Sequence, residues 1–170
     1  GQPPRPNIPI YLATLGPRAL RLTGELASGW LGTCFMPEHA DIFLDEIKAG
    51  AQRAGRNLSD IDIHCGGSFE ISEDVDSLIN ARRPAMGSPK TNFYNDAFCR
   101  AGFEDAAKEV QRLWVEGKRE EAASRVPDEM ILMGNFIGTE DMITERLRAY
   151  RDAGVSTIGI STPGKNWNER

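Results

Sequence analysis

The most restrictive stretch of this chain runs from Ile8 to Gly32. An apolar segment, Ile8 to Ala13, reads as a buried strand that ends in a tight turn at Leu15-Gly16. Pro17 then opens a helix, because proline at the first helical position has its φ pre-set and no N–H to leave unpaired. Ala19, Leu20, Thr23, Leu26 and Ala27 recur at spacings of three and four, which makes one apolar stripe for packing on a sheet. A second strand follows at Trp30 to Gly32. The unit is βαβ, with a glycine where strand meets helix. Such a turn offers free backbone N–H groups to an anion at the positive end of the helix dipole. An unliganded βα turn has the same pattern, so the spacing by itself leaves both readings open.

The rest of the chain keeps the same rhythm. After the polar loop Thr33-Cys34-Phe35-Met36, Pro37 opens a helix that carries Ala40, Phe43, Leu44, Ile47, Ala51 and Ala54 on one face, and Gly55 stops it. A third strand lies near Ile61 to Ile71, with Ile61, Ile63 and Cys65 alternating before Gly66-Gly67. Paired glycines there allow a bulge or the close approach of a ligand to the backbone. From about 72 to 133 the pattern is helical and interrupted. Ser72, Glu73 and Asp74 start a helix, and Pro84 to Pro89 is a loop. Further helices carry Phe93, Tyr94, Ala97 and Phe98, then Ala106, Ala107, Val110, Leu113 and Trp114, then the charged run Lys118 to Arg125. That is too much helix for one crossover, so it reads as an insertion between two strands. Thr139 caps a last helix with Glu140 and Asp141 in its first turn and Ile143, Leu147 and Tyr150 facing inward. Gly154 ends it, Val155 to Ile160 is the final strand, and Thr162-Pro163-Gly164 turns away. The count is four parallel strands in one α/β domain, spanning residues 1–170.

Charge and composition narrow the partners. A net charge of -5 without any Lys/Arg cluster argues against a nucleic-acid partner. No apolar run reaches membrane-spanning length and no secretory signal pattern opens the chain. The three cysteines, Cys34, Cys65 and Cys99, match no metal spacing, and suit reduced thiols in the cytoplasm. In that compartment the sequon Asn57-Leu58-Ser59 is a coincidence. The chain opens on Gly1, with a Pro-rich lead from Gln2 to Pro9, and stops at Asn166-Trp167-Asn168-Glu169-Arg170, which looks like one turn of a helix. A piece of a longer protein is the expectation.

Several segments resemble the luciferase-like monooxygenase superfamily, and most of all its branch that uses the deazaflavin coenzyme F420. They are Pro9-Ile10-Tyr11-Leu12-Ala13, Leu15-Gly16-Pro17-Arg18, Glu25-Leu26-Ala27-Ser28-Gly29-Trp30-Leu31, Arg100-Ala101-Gly102-Phe103-Glu104, Val126-Pro127-Asp128-Glu129 and Tyr150-Arg151-Asp152-Ala153-Gly154-Val155. The resemblance implies the C-terminal half of a (β/α)8 TIM barrel, with strands five to eight present and the helical insertion before strand eight. It implies hydride transfer between a small organic substrate and F420, or, as the alternative, an FMN-dependent monooxygenase. Chemistry in such barrels sits at the C-terminal ends of the strands. The coenzyme phosphate would lie on the turn Leu15, Gly16 and Arg18, and Thr33 resembles a substrate-holding position. Relatives that oxidise sugar phosphates carry a basic residue where Met36 stands here. The acid/base residues of the family belong largely to the other half, so no catalytic residue is named.

Other residues read more plainly. His64 and Cys65 are adjacent on a strand and point to opposite faces, so the two make no metal site together. His39 lies among acidic residues and reads as solvated. Met86-Gly87-Ser88 is a connector or a rim loop near the mouth. Trp30 and Trp114 read as packing, and Lys118 to Glu121 as a solvated face. A half-barrel also exposes strand edges and one sheet face. It would pair with the missing N-terminal half, form a homo-oligomer, or stand as a non-catalytic module.

Overall fold

Among the described residues, five strands, all paired in parallel, form one sheet: β1 (Tyr11–Leu12), β2 (Gly29–Gly32), β3 (Asp62–Ile71), β4 (Phe136–Gly138) and β5 (Thr157–Ser161). A computed structural model describes residues 7–87 and 93–162 of the chain. The expected turn at Pro163-Gly164, the final turn over 166–170 and the Ser88-Pro89 part of the loop lie outside them.

β2 pairs with β1 on one side and with β3 on the other. The ten-residue β3 serves two further neighbours: His64 to Ser68 run in register with Thr157 to Ser161, and Phe69 to Ile71 with Phe136 to Gly138. β4 is the strand that the sequence reading missed. Three residues are too short for alternation to show. The expected buried strand over Ile8 to Ala13 shrinks to two paired residues at an edge of the sheet, and Ile8, Ile10 and Tyr11 are exposed rather than buried. The Gly66-Gly67 approach is real, but the chain's own backbone makes it. A Cβ on Gly66 would stand 2.2 Å from the Gly159 carbonyl oxygen, and one on Gly67 would stand 2.5 Å from that of Gly134. The ladder through both is regular, without a bulge.

The helices α1 (Pro17–Leu26), α2 (Asp41–Arg53) and α8 (Glu140–Asp152) supply the cover for one face. Leu20, Thr23 and Ala27 are buried as the stripe requires, but Leu26 is 72% exposed and Ala54 is exposed as well. Both sit at the ends of their helices, where the face turns off the sheet. Pro37 opens a single 3-10 turn to His39 before α2 begins at Asp41. Trp30, Phe43, Phe136 and Tyr150 are fully buried at the centre, with ring centroids 5.2 Å apart for Trp30–Phe43 and 4.7 Å for Phe136–Tyr150.

Between β3 and β4 run α3 (Val75–Arg82), α4 (Phe93–Phe98), a π-turn over Cys99–Phe103, α5 (Glu104–Val115), α6 (Arg119–Ser124) and α7 (Asp128–Leu132). They bury a second apolar cluster, which includes Ile79, Leu113, Val126 and Ile131 together with Met36 from the loop after β2. Gly102, at φ 90°, makes the kink between α4 and α5.

Candidate functional site

In a parallel sheet every strand leaves toward the same edge, so the loops after β1, β2 and β3 gather at one rim. The first is the turn Thr14-Leu15-Gly16, and it is held from three directions. The Trp30 indole N–H donates to the Thr14 carbonyl at 2.9 Å, and the hydroxyls of Thr14 and Thr23 lie 2.8 Å apart. The Arg100 guanidinium, from the π-turn, donates to the Leu15 carbonyl at 2.7 Å. Trp30 is therefore more than a packing residue.

Gly16 is the N-cap of α1, with φ −77° and ψ 150°, and no side chain caps the helix there. The first intrahelical bond runs from Leu20 N–H to the Gly16 carbonyl at 2.9 Å, so the N–H groups of Arg18 and Ala19 have no intrahelical acceptor. The backbone of Gly16 is one that any residue adopts, and a Cβ built there meets nothing within 4 Å. Neither strain nor packing requires glycine here. What glycine leaves is open space beside free N–H groups, which suits an anion with bulky oxygens. Arg18 is exposed in the first turn of α1, and it borders a surface groove with Arg21, Leu22, Glu25 and Arg53.

The loop after β2 carries Thr33, which is exposed, and Cys34, whose φ of 58° is the one left-handed non-glycine backbone among the described residues. Two contacts set this loop. The Tyr150 hydroxyl lies 3.0 Å from the Phe35 carbonyl and 3.3 Å from the Met133 carbonyl, and Arg146 pairs with Glu38 at 2.5 Å. Burial pushes the Tyr150 phenol well above its usual range, so it stays a donor at all ordinary pH. Met36 is fully buried in the second cluster, and its side chain does not reach the rim.

Cys65 is buried on the helix side while His64 is half-buried on the other face, its Nε2 2.9 Å from where a Cβ on Gly159 would stand. His39 is half-buried rather than solvated, with its ring edge-on to Phe103 at 6.1 Å. Trp114 packs against Gly87, and Arg119 stacks over its ring at 4.9 Å. Residues Lys118 to Glu121 are exposed. No group of three or more His, Cys, Asp or Glu able to hold a metal occurs among the described residues. Sequence reasoning passed over Arg100 as a site residue. Arg-Ala-Gly-Phe was visible as a segment, but an arginine within a helical pattern carries no sign of a carbonyl 85 residues away.

A family described as luciferase-like monooxygenase matches residues 2–157. The chain is 28% identical over 162 residues to the 5,10-methylenetetrahydromethanopterin reductase of Archaeoglobus fulgidus, covering 92% of this chain and 49% of that protein. It is 31% identical over 169 residues to the F420-dependent glucose-6-phosphate dehydrogenase of Nakamurella multipartita, covering 95% and 44%. Among solved structures, the coenzyme F420-dependent tetrahydromethanopterin reductase of Methanopyrus kandleri superposes with a TM-score of 0.71 at 25% identity, over 91% of this chain and 45% of that one. The chain spans about half the length of the curated relatives it matches. Its α/β fold is that of a partial TIM barrel.

Proposed function

The chain belongs to the luciferase-like monooxygenase family, and on that footing we propose that it is part of an oxidoreductase that transfers a hydride between a small organic substrate and coenzyme F420. The single observation that carries the site is the turn at Gly16. Its glycine is needed by neither the backbone nor the packing, and it stands beside unpaired helical N–H groups. The coenzyme phosphate rests on Leu15, Gly16 and Arg18, with the helix dipole and the Arg18 side chain favouring the negative charge. When bound, F420 supplies the hydride chemistry, and this chain's part is to bind and orient it. Thr33, on the loop after the neighbouring strand β2, contacts the substrate. Met36 is apolar and its side chain is buried, so it gives a sugar phosphate no cation, and such a substrate is disfavoured.

The sheet face opposite the helices bears on the assembly. Trp30 is buried toward α2 and its neighbour Leu31 points the other way, 38% exposed, while Tyr11 on β1 is 39% exposed. A barrel needs that face filled. The working unit therefore includes a second half-barrel, either the other half of the same protein or another copy of this chain.

The test is a fluorescence titration with F420 and with FMN, alongside Gly16→Asp, which places a carboxylate where the phosphate would sit. Saturable F420 binding that the substitution abolishes is the expected result. FMN binding alone moves the protein to the flavin monooxygenases. Binding of F420 that Gly16→Asp leaves intact sinks the phosphate assignment, and binding of neither shows that this chain holds no working coenzyme site on its own.

A further inference from the structure

We infer that Arg100 is the positioning residue of the coenzyme-phosphate turn, aiming the Gly16 N–H by holding the carbonyl on the other side of the same peptide bond. This rests on the proposal above that the turn binds a phosphate.

In a trans peptide the C=O and the following N–H point in opposite directions. Whatever pins the Leu15 carbonyl therefore pins the direction of the Gly16 N–H. Arg100 Nη2 donates to that carbonyl at 2.7 Å, and Nη1 donates to the Ile42 carbonyl near the start of α2 at 3.3 Å. The guanidinium carbon lies 5.7 Å from the centre of the Phe43 ring, a stacked cation that fixes the plane of the fork. Asp96, four residues earlier, sits 3.2 Å from Nε. That approach is not aligned as a hydrogen bond, since the buried Nε has no hydrogen-bond partner. The arginine is thus anchored mainly by what it does to the turn and to α2.

The position of Arg100 explains how a side chain of the insertion reaches the rim. It lies in the π-turn Cys99–Phe103, where Gly102 at φ 90° bends the chain between α4 and α5. The break in the helical backbone at Gly102 is what separates the direction of α4 from that of α5. Without Arg100 the Leu15–Gly16 peptide keeps its Thr14 anchors but loses the guanidinium that holds its own carbonyl. The peptide plane is then free to rotate, and the N–H that would face the phosphate is no longer pre-set.

The experiment compares two ligands, coenzyme F420 and a deazaflavin that lacks the phosphate, titrated into the full chain and into Arg100→Met, Arg100→Lys and Gly16→Asp. Circular dichroism melts check folding in parallel. Arg100→Met is expected to weaken F420 about tenfold, the loss of one charge-assisted contact's worth of preorganisation, and to leave the phosphate-free ligand unchanged. Arg100→Lys, which keeps one donor and the charge, recovers part of the loss. Equal weakening of both ligands would make Arg100 merely structural and overturns the inference, as does no weakening of either. Should Arg100→Met fail to fold, Arg100→Lys decides by the same two-ligand comparison. If Gly16→Asp abolishes F420 binding while Arg100→Met leaves it intact, the positioning role fails alone. If Gly16→Asp has no effect, the phosphate assignment fails and takes this inference with it.

Discussion

The Tyr150 hydroxyl sits 3.0 Å from the Phe35 carbonyl, joining α8 to the loop after β2 across 115 residues. Its ring packs on Phe136 at 4.7 Å and on Phe35 at 5.5 Å. Tyr150→Phe keeps the packing and removes the donor, leaving the buried Phe35 carbonyl and the part-buried Met133 carbonyl without it. The expected cost is about 1–3 kcal/mol, read from urea unfolding. An unchanged midpoint would show that the two carbonyls find other donors.

Gly24 and Gly50 let α1 and α2 touch backbone to backbone. A Cβ on Gly24 would stand 2.0 Å from the Ile47 carbonyl oxygen, and one on Gly50 would stand 1.9 Å from that of Arg21. Helix propensity alone says that Gly24→Ala gains about 1 kcal/mol. The contact reverses the sign, because neither backbone can yield, and a loss of about 1–3 kcal/mol is expected from overpacking. A thermal melt of Gly24→Ala decides between them.

Gly16→Ala makes the opposite case. With an extended backbone and open space around the new Cβ, the unfolding midpoint is expected to stay within about 0.5 kcal/mol of the parent. F420 affinity should nevertheless fall, since the methyl would stand in the proposed phosphate site. A matched drop in stability would mean that the glycine serves the fold.

Asp62 gathers hydrogen bonds from Tyr11, Ser156 and Thr157 at the N-terminal end of β3. Burial opposes its ionised form, but the bonds from Ser156, Thr157 and Tyr11 prevail and hold the carboxyl below its ordinary 3.8. A carboxylate whose folded pKa is depressed stabilises the fold above the unfolded value, and that stability is lost as the pH falls through the folded one. Stability should therefore decline as pH drops below about 4, and Asp62→Asn should flatten that part of a melting-temperature profile.

Burial pushes the thiols of Cys34 and Cys65 up to about 12, with the nearby Asp62 charge adding to the shift at Cys65. Both are thus protonated at pH values near 8, about the ordinary range for a free thiol, and are poor nucleophiles. Iodoacetamide should spare them in the native chain and modify them after denaturation, as read by mass spectrometry. Rapid labelling of Cys34 in the native state would show that the loop after β2 opens.

The local chemistry of this chain was legible in its residues. Pro17 set the start of α1, the φ-positive glycines at 55 and 154 set helix ends, and Thr139 capped α8 with its hydroxyl on the Met142 N–H. These signals act within one turn of the chain, so they are written where they act. The glycine turn at Leu15-Gly16 was visible for the same reason. The three-residue β4 was not, because its pairing energy comes from β3, some 67 residues earlier in the Phe69–Phe136 register. Nor was the exposure of Leu26, which depends on where the sheet ends. The roles of Trp30, Tyr150 and Arg100 were beyond reach as well: each donates to a carbonyl, and a carbonyl looks alike at every residue. Periodicity told which faces are buried, while only the packed chain decided which distant backbone atoms those side chains hold, since such contacts depend on spatial proximity and leave no periodic trace.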